Sequence, residues 1–192
     1  HSGLYYTPGS LRARLCVEGR RQMIEFCDRH GIAYAVNGKL VVATTPEDLD
    51  RLDRLHTRGT ANGLRGIRRL ASGEWSEIEP NIAGLAALHV PEAGVTDYAV
   101  VNRKLAETLE GEVRTSWPVA SIRRQGTGWN LAGPGGSVTE AKFVACAGLQ
   151  SDKVAEMAGV DPPVRIVPFR GEYYVLTGRS EQLVNQLVYP VP

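Results

Sequence analysis

Arg170 stands directly before Gly171 in the run Val167-Pro168-Phe169-Arg170-Gly171-Glu172-Tyr173-Tyr174. A guanidinium offers two parallel donors that match a carboxylate, and a neighbouring glycine lets a strand pass close to a ligand. The same arginine can be structural, paired with Glu172 or another acid. Tyr173 and Tyr174 alternate across a strand, so at most one of them, with Tyr173 the candidate, faces a ligand. A second pattern is Phe143-Val144-Ala145-Cys146-Ala147-Gly148, read as a buried strand that delivers small residues to its C-terminal end, where open α/β sheets place ligands. An ordinary turn after a strand is the alternative. Among the histidines, His1 is either a proton acceptor or a polar residue at a frayed end. His89, between an apolar run and Pro91, is either a ligand contact or a satisfied structural histidine. The four histidines and three cysteines share no metal-ligand spacing, so no metal is expected.

These residues need elements to position them. Pro8-Gly9-Ser10 supplies a turn and an N-cap for a long helix from Leu11 to His30, which Gly31 stops. Asn37-Gly38 between two apolar runs predicts a hairpin joining Ile32–Val36 to Lys39–Thr44. Thr45-Pro46-Glu47-Asp48 opens a helix to about Arg58, with Leu49, Leu52 and Leu55 on one face. Strands are expected at Leu64–Leu70 and Ala86–Val90, a helical turn at Ser72–Glu79, and a helix from Asp97 to Leu109. From Glu112 the texture changes to a β-meander: Val113–Ser116, Val119–Arg124, Trp129–Ala132 and Val138–Cys146. A short helix at Ser151–Ala158 and a strand region at Arg165–Leu176 follow.

Composition narrows the function classes. With 192 residues, 43% of them hydrophobic and 22% charged, the chain can bury a core of one domain or two small ones. Lys and Arg number 22 against 21 for Asp and Glu, so no net field draws nucleic acid or anionic lipid. The longest apolar runs fall far short of the roughly 20 residues of a membrane-spanning helix, and no signal peptide opens the chain. Cys16 and Cys27 lie about 16 Å apart along one predicted helix, too far for a disulfide. A reducing compartment fits best.

His1-Ser2-Gly3-Leu4-Tyr5-Tyr6, Val144-Ala145-Cys146-Ala147-Gly148-Leu149-Gln150-Ser151-Asp152 and the Pro-Phe-Arg-Gly-Glu-Tyr-Tyr run together resemble three successive signatures of the D-amino-acid-oxidase-like flavoproteins. The wording is most similar to their L-2-hydroxyglutarate oxidase branch, as are His89-Val90-Pro91 with Asp97-Tyr98 and the ending Tyr189-Pro190-Val191-Pro192. The resemblance covers essentially the whole chain. It implies an FAD-dependent enzyme that oxidises L-2-hydroxyglutarate to the 2-oxo acid by hydride transfer to flavin. The alternatives are a related amine or glycerol-3-phosphate oxidoreductase and a non-catalytic folded module.

The family's Gly-x-Gly-x-x-Gly turn for the FAD pyrophosphate does not occur in these residues, and Gly133-Pro134-Gly135-Gly136 opens no helix. The expectation is therefore an interior piece that by itself holds no FAD and is inactive alone. The implied fold is mixed α/β, a partial FAD-binding domain (1–31 and 111–163) interleaved with an antiparallel-rich substrate domain (32–110 and 164–192). By resemblance, His1 and Arg170 are the catalytic candidates, and His89, Gly171 and Tyr173 contact substrate. Gly3 and Leu4 run beside the isoalloxazine ring, Val119 meets the adenine, and Ala147 and Gly148 lie beside the diphosphate and ribose. The implied partner is a small 2-hydroxy acid, in the cytoplasm, with peripheral contact to the inner membrane or its quinone pool left open.

Overall fold

A computed structural model describes residues 1–192. Along the chain come helix α1 (Leu11–His30), strands β1 (Tyr34–Ala35) and β2 (Lys39–Ala43), helix α2 (Pro46–Ala61), and strands β3 (Arg68–Ala71), β4 (Ala86–Val90) and β5 (Val95–Thr96). Helix α3 (Tyr98–Glu107), strands β6 (Ser121–Gln125), β7 (Gly128–Gly133) and β8 (Gly136–Glu140), helix α4 (Ser151–Met157) and strand β9 (Leu187–Pro190) complete the order. The chain divides into two compact units, His1–Leu109 with Leu176–Pro192, and Glu110–Val175.

Helices α1, α2 and α3 begin where side chains supply acceptors for free backbone donors. Ser10 accepts the Ala13 amide, and Gly31 ends α1 in the left-handed conformation. Ahead of α2, Asp48 accepts the Thr44 and Thr45 amides at 3.1 Å each. Asp97 accepts the Ala99 amide at 2.8 Å and opens α3. All three helices were legible from their caps.

The first unit is organised by the sheet β3-β4-β2-β9, in which β2 runs antiparallel to β4 and parallel to β9. All five residues of β2 and all five of β4 are buried. On one face Val41, Ala43, Leu88 and Val90 pack with Leu52 and Leu55 of α2 and with Leu4. Leu40, Val42, Leu70 and Ala87 pack on the other face against Trp75. Full burial of an aliphatic side chain contributes about 1.5–3 kcal/mol, so two-sided packing makes this strand pair the most stabilised part of the unit.

The expected hairpin does not form. β1 pairs with β5 rather than β2, and β2 joins the larger sheet. The type I′ turn that Asn-Gly favours needs positive φ at both central residues, but only Gly38 has it (φ 78°). The Gly38 amide donates to the Ala93 carbonyl, its carbonyl accepts from Leu187, and Asn37 donates to the Asn185 carbonyl. Long-range partners thus take up the groups that would have closed the turn. Strand β3 is shorter than expected, and Ser72–Glu79 forms the expected helical turn, with the Glu79 amide donating to the Trp75 carbonyl at 2.8 Å.

The second unit contains the antiparallel order β6-β7-β8, the central part of the predicted meander. Val113–Ser116 forms no strand, and the last meander strand stops at Glu140. Phe143–Ala147 and Arg165–Leu176 are likewise not strands, because no neighbouring strand hydrogen-bonds to them. Tyr173 and Tyr174 are almost fully exposed. Residues 1–31 share a compact unit with 32–109, whereas the expected functional division grouped them with 111–163.

The segment leading into β9 is held by Glu79, whose side chain is fully buried and whose Oε1 accepts the amides of Asn185, at 2.7 Å, and Gln186. Glu79→Ala removes the acceptor of two part-buried amides, and the expected loss is about 1–2 kcal/mol of stability by urea unfolding. Glu79→Gln keeps an acceptor, so a smaller loss is expected in the same measurement.

Candidate functional site

The first unit carries an open cavity of about 540 Å³ lined by residues of the N-terminal segment, α1, β1, β5 and β9, with Lys39 at the head of β2. His1, Ser2, Tyr5, Lys39, Cys16 and Tyr189 are among its walls. The N-terminal segment is held in place by α2: Asn62 donates to the carbonyls of Gly3 and Tyr6 at 2.9 and 2.8 Å, and Arg58 donates to that of Tyr5 at 3.0 Å. Leu4 is buried in the core beneath. Gly3 has φ 96°, and a Cβ there would meet Val17 at 2.9 Å. Packing of the segment on α1 therefore already requires glycine.

Lys39 is only 5% exposed, and no carboxylate lies within ion-pairing distance of its ammonium. Nζ lies 4.3 Å from the centre of the Tyr5 ring and 5.9 Å from that of Tyr189. These faces attract a cation but accept no conventional hydrogen bond. Burial pushes the Lys39 pKa down to about 8. It also raises that of Tyr5, which Tyr189 raises further. Glu92, also on the cavity wall, is paired with Arg20 at 2.8 Å and accepts the Arg65 amide at 3.0 Å. Although burial opposes it, these hydrogen bonds hold Glu92 below the usual carboxylate range. Ser2 Oγ is buried without a hydrogen-bond partner.

Of the sequence candidates, His1 is on the cavity wall, with Gly3 and Leu4 just behind it in the chain. His89 is not. It is paired with Leu40 in the sheet, one register position away from the Lys39–Val90 pair, and so projects from the opposite face. Its ring nitrogens are buried without partners, and burial first, then the Arg68 cation, keeps its pKa below the ordinary histidine value. A Cβ on Gly38 would come within 3.3 Å of His89 Nε2 and 3.2 Å of Gln186 Oε1, so glycine leaves this cluster its room.

Val119, Ala147, Gly148, Arg170, Gly171 and Tyr173 all belong to the second unit. Val119 is half-buried beside the start of β6. Ala147 precedes Gly148, which is left-handed (φ 55°) and begins the turn into α4. The Arg170 side chain is 86% exposed, with Nε 3.5 Å from Glu172. No group of three or more His, Cys, Asp or Glu is placed to hold a metal. Sequence reasoning missed Lys39, Tyr5 and Tyr189. The available signal was a lysine opening an apolar run immediately after Asn37-Gly38.

The family model for FAD dependent oxidoreductases of the D-amino-acid-oxidase type matches residues 1–192, and the chain belongs to that family. It is 43% identical to an L-2-hydroxyglutarate dehydrogenase of Indibacter alkaliphilus over the whole chain and 49% of that relative. It is 42% identical to the mitochondrial L-2-hydroxyglutarate dehydrogenase of Caenorhabditis elegans and 37% to the L-2-hydroxyglutarate dehydrogenase of Escherichia coli, again over the whole chain and 46% of each relative. The chain thus spans about half the length of the curated relatives it matches. Among solved structures it is similar to an FAD-bound L-alpha-glycerophosphate oxidase of Mycoplasma pneumoniae, with TM-score 0.78 and 20% identity over 100% of this chain and 53% of that one. Glycine oxidase of Geobacillus kaustophilus follows at TM-score 0.75 and 21% identity, over 96% and 52%. At these identities the structures establish the fold. No helix is long and apolar enough to cross a membrane.

Lys39 makes the stability of the unit depend on pH in a defined sense. Its folded-state pKa of about 8 lies below the ordinary 10.5, so between these values the unfolded chain binds more protons and stability rises with pH. Urea unfolding at pH 7, 8, 9 and 10 is expected to show this rise in the wild type and a flatter profile in Lys39→Met.

Proposed function

We propose that this chain is part of an FAD-dependent enzyme that oxidises C2 of L-2-hydroxyglutarate to the 2-oxo acid. The observation that carries the reading is the identity of 37–43% to proteins named L-2-hydroxyglutarate dehydrogenase, sustained along the whole chain. The solved glycerophosphate and glycine oxidases are less than 25% identical and do not favour their own substrates over this one.

The residues present suit the reacting end of such a cofactor. The cavity is walled by His1 and by the orphaned Ser2 Oγ, while the phosphate-binding glycine turn does not occur in these residues. FAD, when bound, supplies the acceptor for the hydride that leaves C2. His1 takes the hydroxyl proton as the C2–O bond becomes a carbonyl. Arg170 grips one carboxylate through its two parallel donors, with Gly171 and Tyr173 beside it, whereas His89, on the opposite face of the sheet from the cavity, takes no part in this step. Gly3, Leu4, Val119, Ala147 and Gly148 serve the cofactor. In this reading 1–31 with 111–163 serve FAD and 32–110 with 164–192 serve substrate. Placement in the cytoplasm, with peripheral contact to a membrane quinone pool, belongs to the same proposal.

In the full-length protein, anaerobic L-2-hydroxyglutarate is expected to bleach the flavin band faster than glycerol 3-phosphate or glycine does. Faster bleaching by either of those assigns the enzyme to a different substrate, and no bleaching by any of them favours a folded module without this activity. Arg170→Lys keeps the charge and loses the fork, so kcat/KM is expected to fall at least about tenfold, or about 1.4 kcal/mol, with an unchanged melting curve. Near-wild-type kcat/KM in both Arg170→Lys and Arg170→Ala would end its role as an anchor.

A further inference from the structure

We infer that Lys39 is the anchor for the second carboxylate of a dicarboxylate substrate, and that it sets the preference for a 2-hydroxy dicarboxylate over a 2-hydroxy monocarboxylate. This inference deepens the proposed function and rests on it for the identity of the substrate.

The geometry carries the argument. Lys39 is 95% buried, yet its strand offers it no acid, and the carboxylate of Glu92 on the same cavity wall is already engaged by Arg20 and the Arg65 amide. Its surroundings are the faces of Tyr5 and Tyr189, which stabilise positive charge while leaving the ammonium donors without an oxygen. The ammonium opens onto the cavity, and a partly desolvated ammonium without a protein acceptor is stabilised when a counter-charge arrives there. Lys39 lines a cavity large enough for a small ligand, so the counter-charge can be brought by the ligand itself. The chemistry that satisfies these groups is a carboxylate at the end of a short hydrocarbon chain. Leu15, Met23, Val36 and Leu187 line the cavity and suit the methylenes, and Ser2 Oγ is a further unpaired polar group.

A site built to pair a buried charge discriminates strongly against an analogue that lacks the partner, because the charge is then left unmatched. A lysine present only to pack its stem would show no such discrimination. Lys39→Met retains most of the stem and removes the charge, and Lys39→Arg retains the charge.

The experiment uses the full-length protein with its flavin. It compares kcat/KM for L-2-hydroxyglutarate with that for L-2-hydroxyvalerate, which has the same number of carbons and no second carboxylate. Lys39→Met is expected to reduce the diacid-to-monoacid ratio at least about tenfold, chiefly through the KM of the diacid, and Lys39→Arg to restore part of it. Binding is read independently in the wild type by acetic anhydride labelling and peptide mass spectrometry. Glutarate is expected to slow acetylation of Lys39 at least about fivefold more than valerate does. A wild-type ratio in Lys39→Met, or equal protection by glutarate and valerate, overturns the inference. If L-2-hydroxyglutarate fails to reduce the wild-type flavin while glutarate still protects Lys39, the substrate reading falls and the carboxylate site stands.

Discussion

Two-sided burial of the strand Lys39–Ala43 is the constraint on which the first unit depends. Its neighbours are an antiparallel strand on one edge and a parallel strand on the other, so its backbone groups are satisfied while both faces are covered. A strand in that position admits almost no change of register, because a shift by one residue exchanges the two faces. The parallel partner Leu187–Pro190 arrives from the far end of the sequence, and Glu79 fixes the approach by capping the amides of Asn185 and Gln186. Helix α2 then lies over one face and positions the N-terminal segment through Arg58 and Asn62.

The same constraint creates the chemistry of the cavity. Because the strand is buried from its first residue, Lys39 is buried with it, and its charge is left among aromatic faces rather than acids. A fold that needed only a stable strand end would be served as well by an apolar residue. Holding an ammonium there lowers its pKa and opposes stability, which is a common physical state of residues that meet a ligand. His1 shares this cavity, whereas His89 is directed to the other face of the sheet by the alternation of side chains along β4. Two histidines that looked comparable in sequence are separated by a sheet.

The second unit contrasts with the first. Its three-stranded meander is paired along its length, but the flanking segments Phe143–Ala147 and Arg165–Leu176 pair with no strand and expose apolar side chains such as Val144, Val167 and Phe169. Both have the composition of buried strands, and both carry proposed site residues, Ala147 in one and Arg170, Gly171 and Tyr173 in the other. A strand acquires burial from its neighbours, so the same residues that read as core in sequence are exposed where no neighbouring strand pairs with them.

The sequence by itself determined the elements whose signals are local. Ser10, Thr45 and Asp97 stand at the N-caps of helices where expected, Gly31 stops α1, and the alternating runs at 121–125, 128–133 and 136–140 form the meander. The residues of three motifs also identified the family, because their order of side chains is specific even where their structure is not. Only the tertiary structure decided what Asn37-Gly38 does, since distant partners at Ala93, Asn185 and Leu187 compete with the two-residue turn and prevail. It alone showed Lys39 to be buried without an acid, because whether a charge has a partner depends on which side chains converge from α1, β9 and the N-terminal segment. Local backbone preference can be read residue by residue; convergence of distant groups on one cavity cannot.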